Sequence, residues 1–316
     1  MTLPTPIAGV KNDRIASLVQ FPSASDMGSF RTVCYFSHAS YDDPIVLPGQ
    51  PGASHLHYFF GNDSTNATST LATLKAGGST CRGGAINLSA YWQPAMIDAS
   101  NSTAIPARVA IVYYKNGGRG VAAADVRSMP QGLRMVAGNP KATDAGAPYG
   151  PAEFKCDGNA VVGDDWRAFP NPRGPHSIPS LADCGVGHEI WASVVFPQCW
   201  DGVNLDSPDH RSHMAYFPIP NSFGGKCPPD HPVALPEIVV SVLYPVRLGD
   251  DPSRWRLASD MYDPALPGGY SLHADWFGAW RPEIVDTFVT KCINPQFDCQ
   301  AHMLGDGRTM DEFGGN

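Results

Sequence analysis

Short apolar runs broken by Gly, Pro, Asn and Asp set the rhythm of this chain. The stretches from Arg108 to Tyr114, Glu189 to Phe196 and Glu237 to Val246 are rich in β-branched and aromatic residues, which predicts strands. The last alternates only in part, so its strand is expected to be covered on both faces, as at the centre of a sandwich. One stretch follows the helical period instead. In WRPEIVDTFVTKCI, residues Ile284, Val285, Phe288, Val289 and Cys292 share one stripe, Pro282 suits the first turn, Glu283 its positive end and Lys291 the negative end. A second short helix is expected from Ala122 to Ser128, stopped by Pro130. GGRG, from Gly117 to Gly120, reads as a hairpin turn. The Gly/Pro/Asp-rich passage from Gly138 to Pro179 reads as loops pinned by Cys156 and Cys184, or as an inserted subdomain.

Composition narrows the fold. Only 16% of the 316 residues are charged, while Gly and Pro number 32 and 30, which suits many short strands and turns. The expected class is mainly β: a sandwich or jelly roll with long loops and one or two short helices. We expect one β-rich domain over 21–300, with an N-terminal extension at 1–20 and a tail at 301–316. A net charge of −8 without a basic block argues against a nucleic-acid or anionic-membrane partner. No segment is apolar for long enough to span a bilayer, and a monomer is expected.

The 8 cysteines are dispersed and form no CxxC pair, which points to four disulfides made in an oxidising compartment; buried free thiols are the alternative. Spacing does not fix the pairing. Nearest neighbours are the expectation: Cys34 with Cys81, Cys156 with Cys184, Cys199 with Cys227, and Cys292 with Cys299. The first residues lack a secretory pattern, so a secreted form would have lost its natural signal. Sequons at Asn62, Asn66, Asn87 and Asn101 would carry glycans only in a eukaryotic secretory pathway, and chance explains them equally well.

Candidate chemistry lies in two pairs with the same offset: His55 and His57 in PGASHLHYFFGN, and His273 and Asp275 in SLHADWFGAW. On a strand, residues i and i+2 face the same side, so each pair aims two metal-capable or proton-carrying groups into one space. His55, His57 and Asp275 make a candidate two-histidine, one-carboxylate site for a divalent metal ion, against the alternative that one imidazole merely bonds a backbone carbonyl.

Asp201, His213 and the ring of Trp200 belong to a segment from Phe196 to Pro232 that also carries His210, His231, Asp206 and Asp209. Trp92, Trp200, Trp276 and Trp280 are candidate stacking surfaces for sugar rings, core packing being the alternative for each. A glycosidase would use Asp201 and Asp275 as its carboxylate pair. A polysaccharide lyase would use His57 or Tyr114 as base with Lys115 or Arg82 to neutralise the substrate carboxylate. No GxSxG, HExxH, Walker or GxGxxG pattern is present in a suitable context.

SHLHYFFGN, STCRGGAINLSAYWQPAM, VYYKNG, FPQCWDG, HRSHMAYF, KCPPDHPVALPEI and LHADWFGAW, in that order, resemble the family catalogued as domain of unknown function 1996, over roughly Phe21 to Asp298. The resemblance implies secreted fungal or bacterial proteins, sometimes joined to modules associated with cell walls or carbohydrates, and supplies no catalytic residues.

The expectation is therefore a secreted enzyme that cleaves a cell-wall or extracellular polysaccharide. His55, His57, His213, His273, Asp201 and Asp275 would surround the reacting centre. Trp92, Tyr114, Lys115, Trp200 and Trp276 would hold the poly- or oligosaccharide. The alternatives are a non-catalytic carbohydrate-binding or cell-surface module and a structural wall protein.

Overall fold

A computed structural model describes residues 3–17, 22–116, 121–143, 151–157, 159–160, 177–218, 225–260, 267–299 and 302–311. The glycine-rich turn at 117–120 and much of the passage from 138 to 179 lie outside the described residues. The fold is mainly β, a nearly closed antiparallel sandwich with short helices and four disulfides.

Nine strands build the sandwich: β1 (Ser29–Ser40), β2 (His57–Gly61), β3 (Ala90–Pro94), β4 (Val109–Lys115), β5 (Arg134–Gly138), β6 (Ala152–Cys156), β7 (Glu189–Val195), β8 (Glu237–Pro245) and β9 (His273–Phe277). Their order is β6-β7-β8-β4-β1-β2-β3-β9-β5. The long strand β1 is the hinge: its first half pairs with β4, its second half with β2, and the register slips between Phe36 and His38. Such a bulge bends a strand and raises its twist, so one continuous sheet folds into two facing halves.

The core lies between those halves. Phe30, Val112, Ile190 and Val240 from one half meet Tyr58, Phe60, Met135 and Trp276 from the other. Across this core the Gln93 amide of β3 donates to the carbonyls of Ala192 and Val240. β8 is buried along nearly its whole length, as its incomplete alternation predicts, and the stretches anticipated as strands form β4, β7 and β8.

The helix expected at the C-terminal end is α-helical over Pro282–Phe288 and continues as a wider π turn over Val289–Ile293, with Ile284, Val285, Phe288, Val289 and Cys292 all buried. The helix expected from Ala122 to Ser128 shrinks to a 3-10 turn at Ala123–Asp125. There the Asn294 amide takes the carbonyls of Ala123 and Val126, and the Arg127 N–H goes to Ala234, so the groups a longer helix would use are engaged elsewhere. All four disulfides join the nearest-neighbour pairs. Ile15–Ser17, from the expected extension, pairs with Arg308–Met310, from the expected tail. Asn62 and Asn87 are fully buried, whereas Asn66 and Asn101 are exposed.

Candidate functional site

The outward face of β2, β3 and β9 carries the site. Register places Phe59, Trp92, Asp275 and Val136 in one row across the half-sheet, and His57, Pro94, His273 and Gly138 in the next. Pro94 therefore separates the two histidines with a side chain too short to keep them apart, and their ring centroids lie 5.9 Å from each other. His55, just before β2, closes the group at 4.2 Å from His57 and 5.0 Å from His273. One ligand atom from each of His55, His57 and His273 lies within 4.8 Å of the others.

Hydrogen bonds fix how these rings present themselves. His57 Nδ1 bonds the Asp42 carbonyl at 3.0 Å, and His273 Nδ1 bonds the Ser271 carbonyl at 2.8 Å. A carbonyl accepts only, so both Nδ1 atoms carry the proton and both Nε2 atoms offer a lone pair. His55 Nε2 lies 3.2 Å from His273 Nε2 and donates to it; His57 Nε2 has no protein partner. Burial keeps all three rings neutral: it holds His55 down to about 4 and His273 down to about 3, and it puts His57 well below the usual range, with the neighbouring imidazoles adding to the effect.

A second group overlaps the first. Asp43, His57 and Asp275 likewise offer ligand atoms within 4.8 Å, and all three are buried. Both carboxyl oxygens of Asp275 lack a protein hydrogen-bond partner. Burial, and then the nearby Asp43, push the Asp275 carboxyl well above the usual carboxylate range against the opposing charge of Arg211. Burial raises Asp43 too, although the N–H groups of Val46 and Ile45 and the Trp92 side chain pull the other way. A carboxyl with no donor in a dry site is costly, so Asp275 asks for a cation or a proton.

Loops roof this face. Residues 41–56 fold back so that Asp42 and Asp43 sit beside His57, Asp43 capping Ile45 and Val46. The segment from 196 to 218 is tied to β5: Arg134 pairs with Asp206 and donates its backbone N–H to Leu205, while His213 Nε2 meets the Arg134 carbonyl. That tie brings the charges of Arg211 and His210 towards Asp275 and Asp43. His55 is the part-exposed member of the histidine group, so it marks the way in.

His55, His57, His273 and Asp275 thus fall in two overlapping groups that share His57, with His273 rather than Asp275 completing the triad around His55. His213 stands elsewhere, with both ring nitrogens engaged by Ser207 Oγ and the Arg134 carbonyl. Asp201 caps its own turn through Val203 and Asn204, and is not among the carboxylates that gather at the pocket.

Trp92 and Trp276, expected to stack on sugars, are fully buried and present no ring face to solvent. Tyr114 is buried as well, its hydroxyl bonded to that of Tyr91 and to the Trp280 indole, and burial raises it well above the usual phenol value, so it cannot serve as a base. Trp200 is half-buried and donates to Asn204. Lys115 pairs with Glu237 on the opposite half-sheet, and Arg82 lies near His302. Asp43 was missed: an Asp before a Pro reads as an ordinary turn, and nothing in YDDP signals a neighbour 230 residues away.

Among the described residues no helix is long and apolar enough to cross a membrane. No curated protein and no solved structure matches the chain. A family model does, over residues 43–280, a span that opens at Asp43 and takes in both histidine-bearing strands. On that match the chain belongs to the family described as domain of unknown function DUF1996.

Proposed function

We propose that this protein is a secreted, metal-dependent enzyme that cleaves an extracellular or cell-wall polysaccharide, with His55, His57 and His273 holding one divalent ion. The observation that carries the reading is the convergence of three neutral imidazoles with ligand atoms within 4.8 Å of one another, two of them held at Nδ1 by backbone carbonyls so that Nε2 is left to ligate. Carbonyl-oriented histidines are the usual support of a metal centre, and three imidazoles suit a borderline ion such as Zn²⁺ with a position left open. Such an ion, when bound, supplies a polarised water at neutral pH.

The residues of the chain do the rest. His55 gives up its bond to His273 by moving its proton to Nδ1, a tautomer change that costs no net charge. Asp275 and Asp43 lie on the far side of His57 and balance the charge of an ion that the rings alone would leave uncompensated. Four disulfides fit an oxidising, extracellular setting, where polymers are the substrates at hand, and the likeness to secreted proteins with carbohydrate-associated modules points the same way.

The test is elemental analysis of the purified protein, followed by incubation with plant, fungal and bacterial polysaccharides with and without chelator. The expected result is about one ion per chain and new reducing ends or unsaturated sugars that chelation abolishes. Absence of bound metal after reconstitution with Zn²⁺, Cu²⁺, Mn²⁺ and Fe²⁺ in turn would overturn the metal; products indifferent to chelator would overturn its role.

A further inference from the structure

The opposite outward face, on β4, β7 and β8, holds an open cleft of about 380 Å³ that no part of the metal chemistry uses. Its floor is small and polar: Ser193 and Ser241 sit side by side in register, their hydroxyls 2.8 Å apart and bonded to each other. Two aromatic side chains flank that floor. Tyr113 of β4 stands on one side and Trp191 of β7 on the other, and both are only partly buried, unlike the large aromatic rings of the core.

Register sets them apart by two strands and by four residues along β8, Trp191 standing opposite Leu243 and Tyr113 opposite Val239, on the order of 15 Å between Cα atoms. The cleft is thus a trough with an aromatic residue at each end of its lining.

The charges of the trough nearly cancel. Lys115 is paired with Glu237, and Lys155 with Glu153, while Asp298 accepts from Ser29. Arg31 has no carboxylate paired to it among the described residues. The Trp191 indole N–H is shielded from solvent and has no protein acceptor. Shielded in that way it offers nothing to a ligand in the cleft, whereas the Arg31 guanidinium, with no carboxylate paired to it among the described residues, offers a fork of donors.

We propose that this trough binds a short stretch of a neutral polysaccharide, independently of the metal centre. Aromatic rings cover the apolar faces of pyranose units, while Arg31 and Lys155 donate to their hydroxyls. The near-balance of charge in the trough, within a chain of net charge −8, selects against a polyuronate, which the whole molecule repels. The two sites lie on opposite outward faces of the sandwich, so the trough would anchor the protein on its polymer rather than present the scissile bond to the ion.

The experiment is affinity electrophoresis of the full chain through gels containing a neutral β-glucan, a mannan, a xylan or a polygalacturonate, with and without chelator. Retardation by at least one neutral polymer is expected, unchanged by chelator and by salt, and reduced at least tenfold in apparent affinity by W191A and by Y113A. R31A should weaken it less. Circular dichroism checks that each variant folds, and W191F, which keeps an aromatic ring, should retain part of the binding. Retardation by polygalacturonate alone, by no polymer, or equally in wild type and W191A would each overturn the proposal. Loss of cleavage in a metal-site variant that still binds would leave this site standing, so the two readings fail separately.

Discussion

The two outward faces of this sandwich are built on the same strand geometry and meet opposite fates. On β2, β3 and β9 the outward positions are His57, Phe59, Trp92, His273 and Asp275, and loops from 41–56 and 196–218 seal them in. On β4, β7 and β8 the outward positions are Tyr113, Trp191, Ser193 and Ser241, and a cleft stays open above them. Covering a face with loops removes water, and that is what turns titratable groups into a site: burial first, and the neighbouring imidazoles and Asp43 after it, drive the imidazoles to neutrality and Asp275 towards its protonated form. On the open face the charged groups find each other in pairs or remain solvated. The contrast is between a face that stores electrostatic tension and one that offers contact surface.

The largest effect should come from breaking the tension itself. His273→Ala is expected to weaken Zn²⁺ binding by more than about 100-fold, beyond the usual cost of losing a group that merely orients a ligand. The informative partner is Asp275→Asn. In chelator it should leave stability unchanged or raise it, because the cost of burying or protonating a carboxyl with no donor is removed. With saturating ion it should reduce the stabilisation that binding confers, about 2.7 kcal/mol at a hundredfold excess over Kd in the wild type. Urea unfolding in the two conditions measures both. A D275N variant destabilised in chelator by more than about 2 kcal/mol would mean that Asp275 serves the fold through partners of its own, a cost typical of breaking buried networks.

How the covered face was legible in sequence follows from its construction. The spacing in SHLHY and LHADW places each pair on one side of a strand, because side chains alternate, and that much needs no neighbours. That the two pairs share a space depends on β3 lying between β2 and β9 with Pro94 opposite His57, and register between strands remote in the chain leaves no mark in either. Asp43 and Arg211 arrive by loops and are invisible for the same reason. The tryptophans misled because large apolar rings carry the same letters in a core as in a binding platform; Trp92 and Trp276 went inside, while Trp191, sitting in a run that reads simply as a strand, faces the open cleft. The three long strands were readable because local composition decides them, whereas the disulfide pairing, expected between nearest neighbours and found so, is fixed by the fold and not by spacing.

A smaller effect tests how tightly the covered face is fitted. Gly138 lies opposite His273 with φ +85°, and a Cβ there would stand 2.4 Å from the Leu272 carbonyl oxygen and 2.6 Å from the His273 Cα. Gly249, in the loop after β8, also has positive φ, +95°, but open space around it. Gly249→Ala should cost about 1 kcal/mol, the price of the backbone conformation alone. Gly138→Ala should cost about 1–3 kcal/mol more and weaken Zn²⁺ binding by displacing His273. Equal losses at the two glycines, with metal affinity intact, would show that the strand carrying His273 has room to move.

Acid separates the halves by another route. His302 is held down to about 3 from 6.5 by burial, and then by the charges of Arg82 and Arg31. The unfolded chain takes up this proton below about pH 6.5, the folded chain only below about 3, so the contribution to stability is full above the first value and drains away as pH falls towards the second. His302→Gln should flatten the acid limb of a stability-versus-pH curve recorded by urea unfolding between pH 7 and 4. Because the folded chain keeps His302 neutral over this range, polysaccharide retention by the wild type and by H302Q should respond alike to pH between 7 and 4. Parallel acid limbs in the two proteins would put the sensitivity elsewhere.

The smallest effect asks whether the floor of the open cleft is truly an ordinary sheet surface. Ser193 and Ser241 are each nearly inaccessible, yet they line the cleft, and each hydroxyl has the other as its partner. If the floor is shielded, Ser193→Ala strands the hydroxyl of Ser241 and costs about 1 kcal/mol, while the double variant costs no more than either single, since removing both partners leaves nothing unsatisfied. If water reaches the floor, each stranded hydroxyl finds a substitute partner, the single losses fall to a few tenths of a kcal/mol and they add. The first pattern is expected, because both serines are nearly inaccessible to solvent. A double-mutant cycle by urea unfolding distinguishes them, and the coupling should vanish in a W191A background, where the wall that excludes water has been taken away.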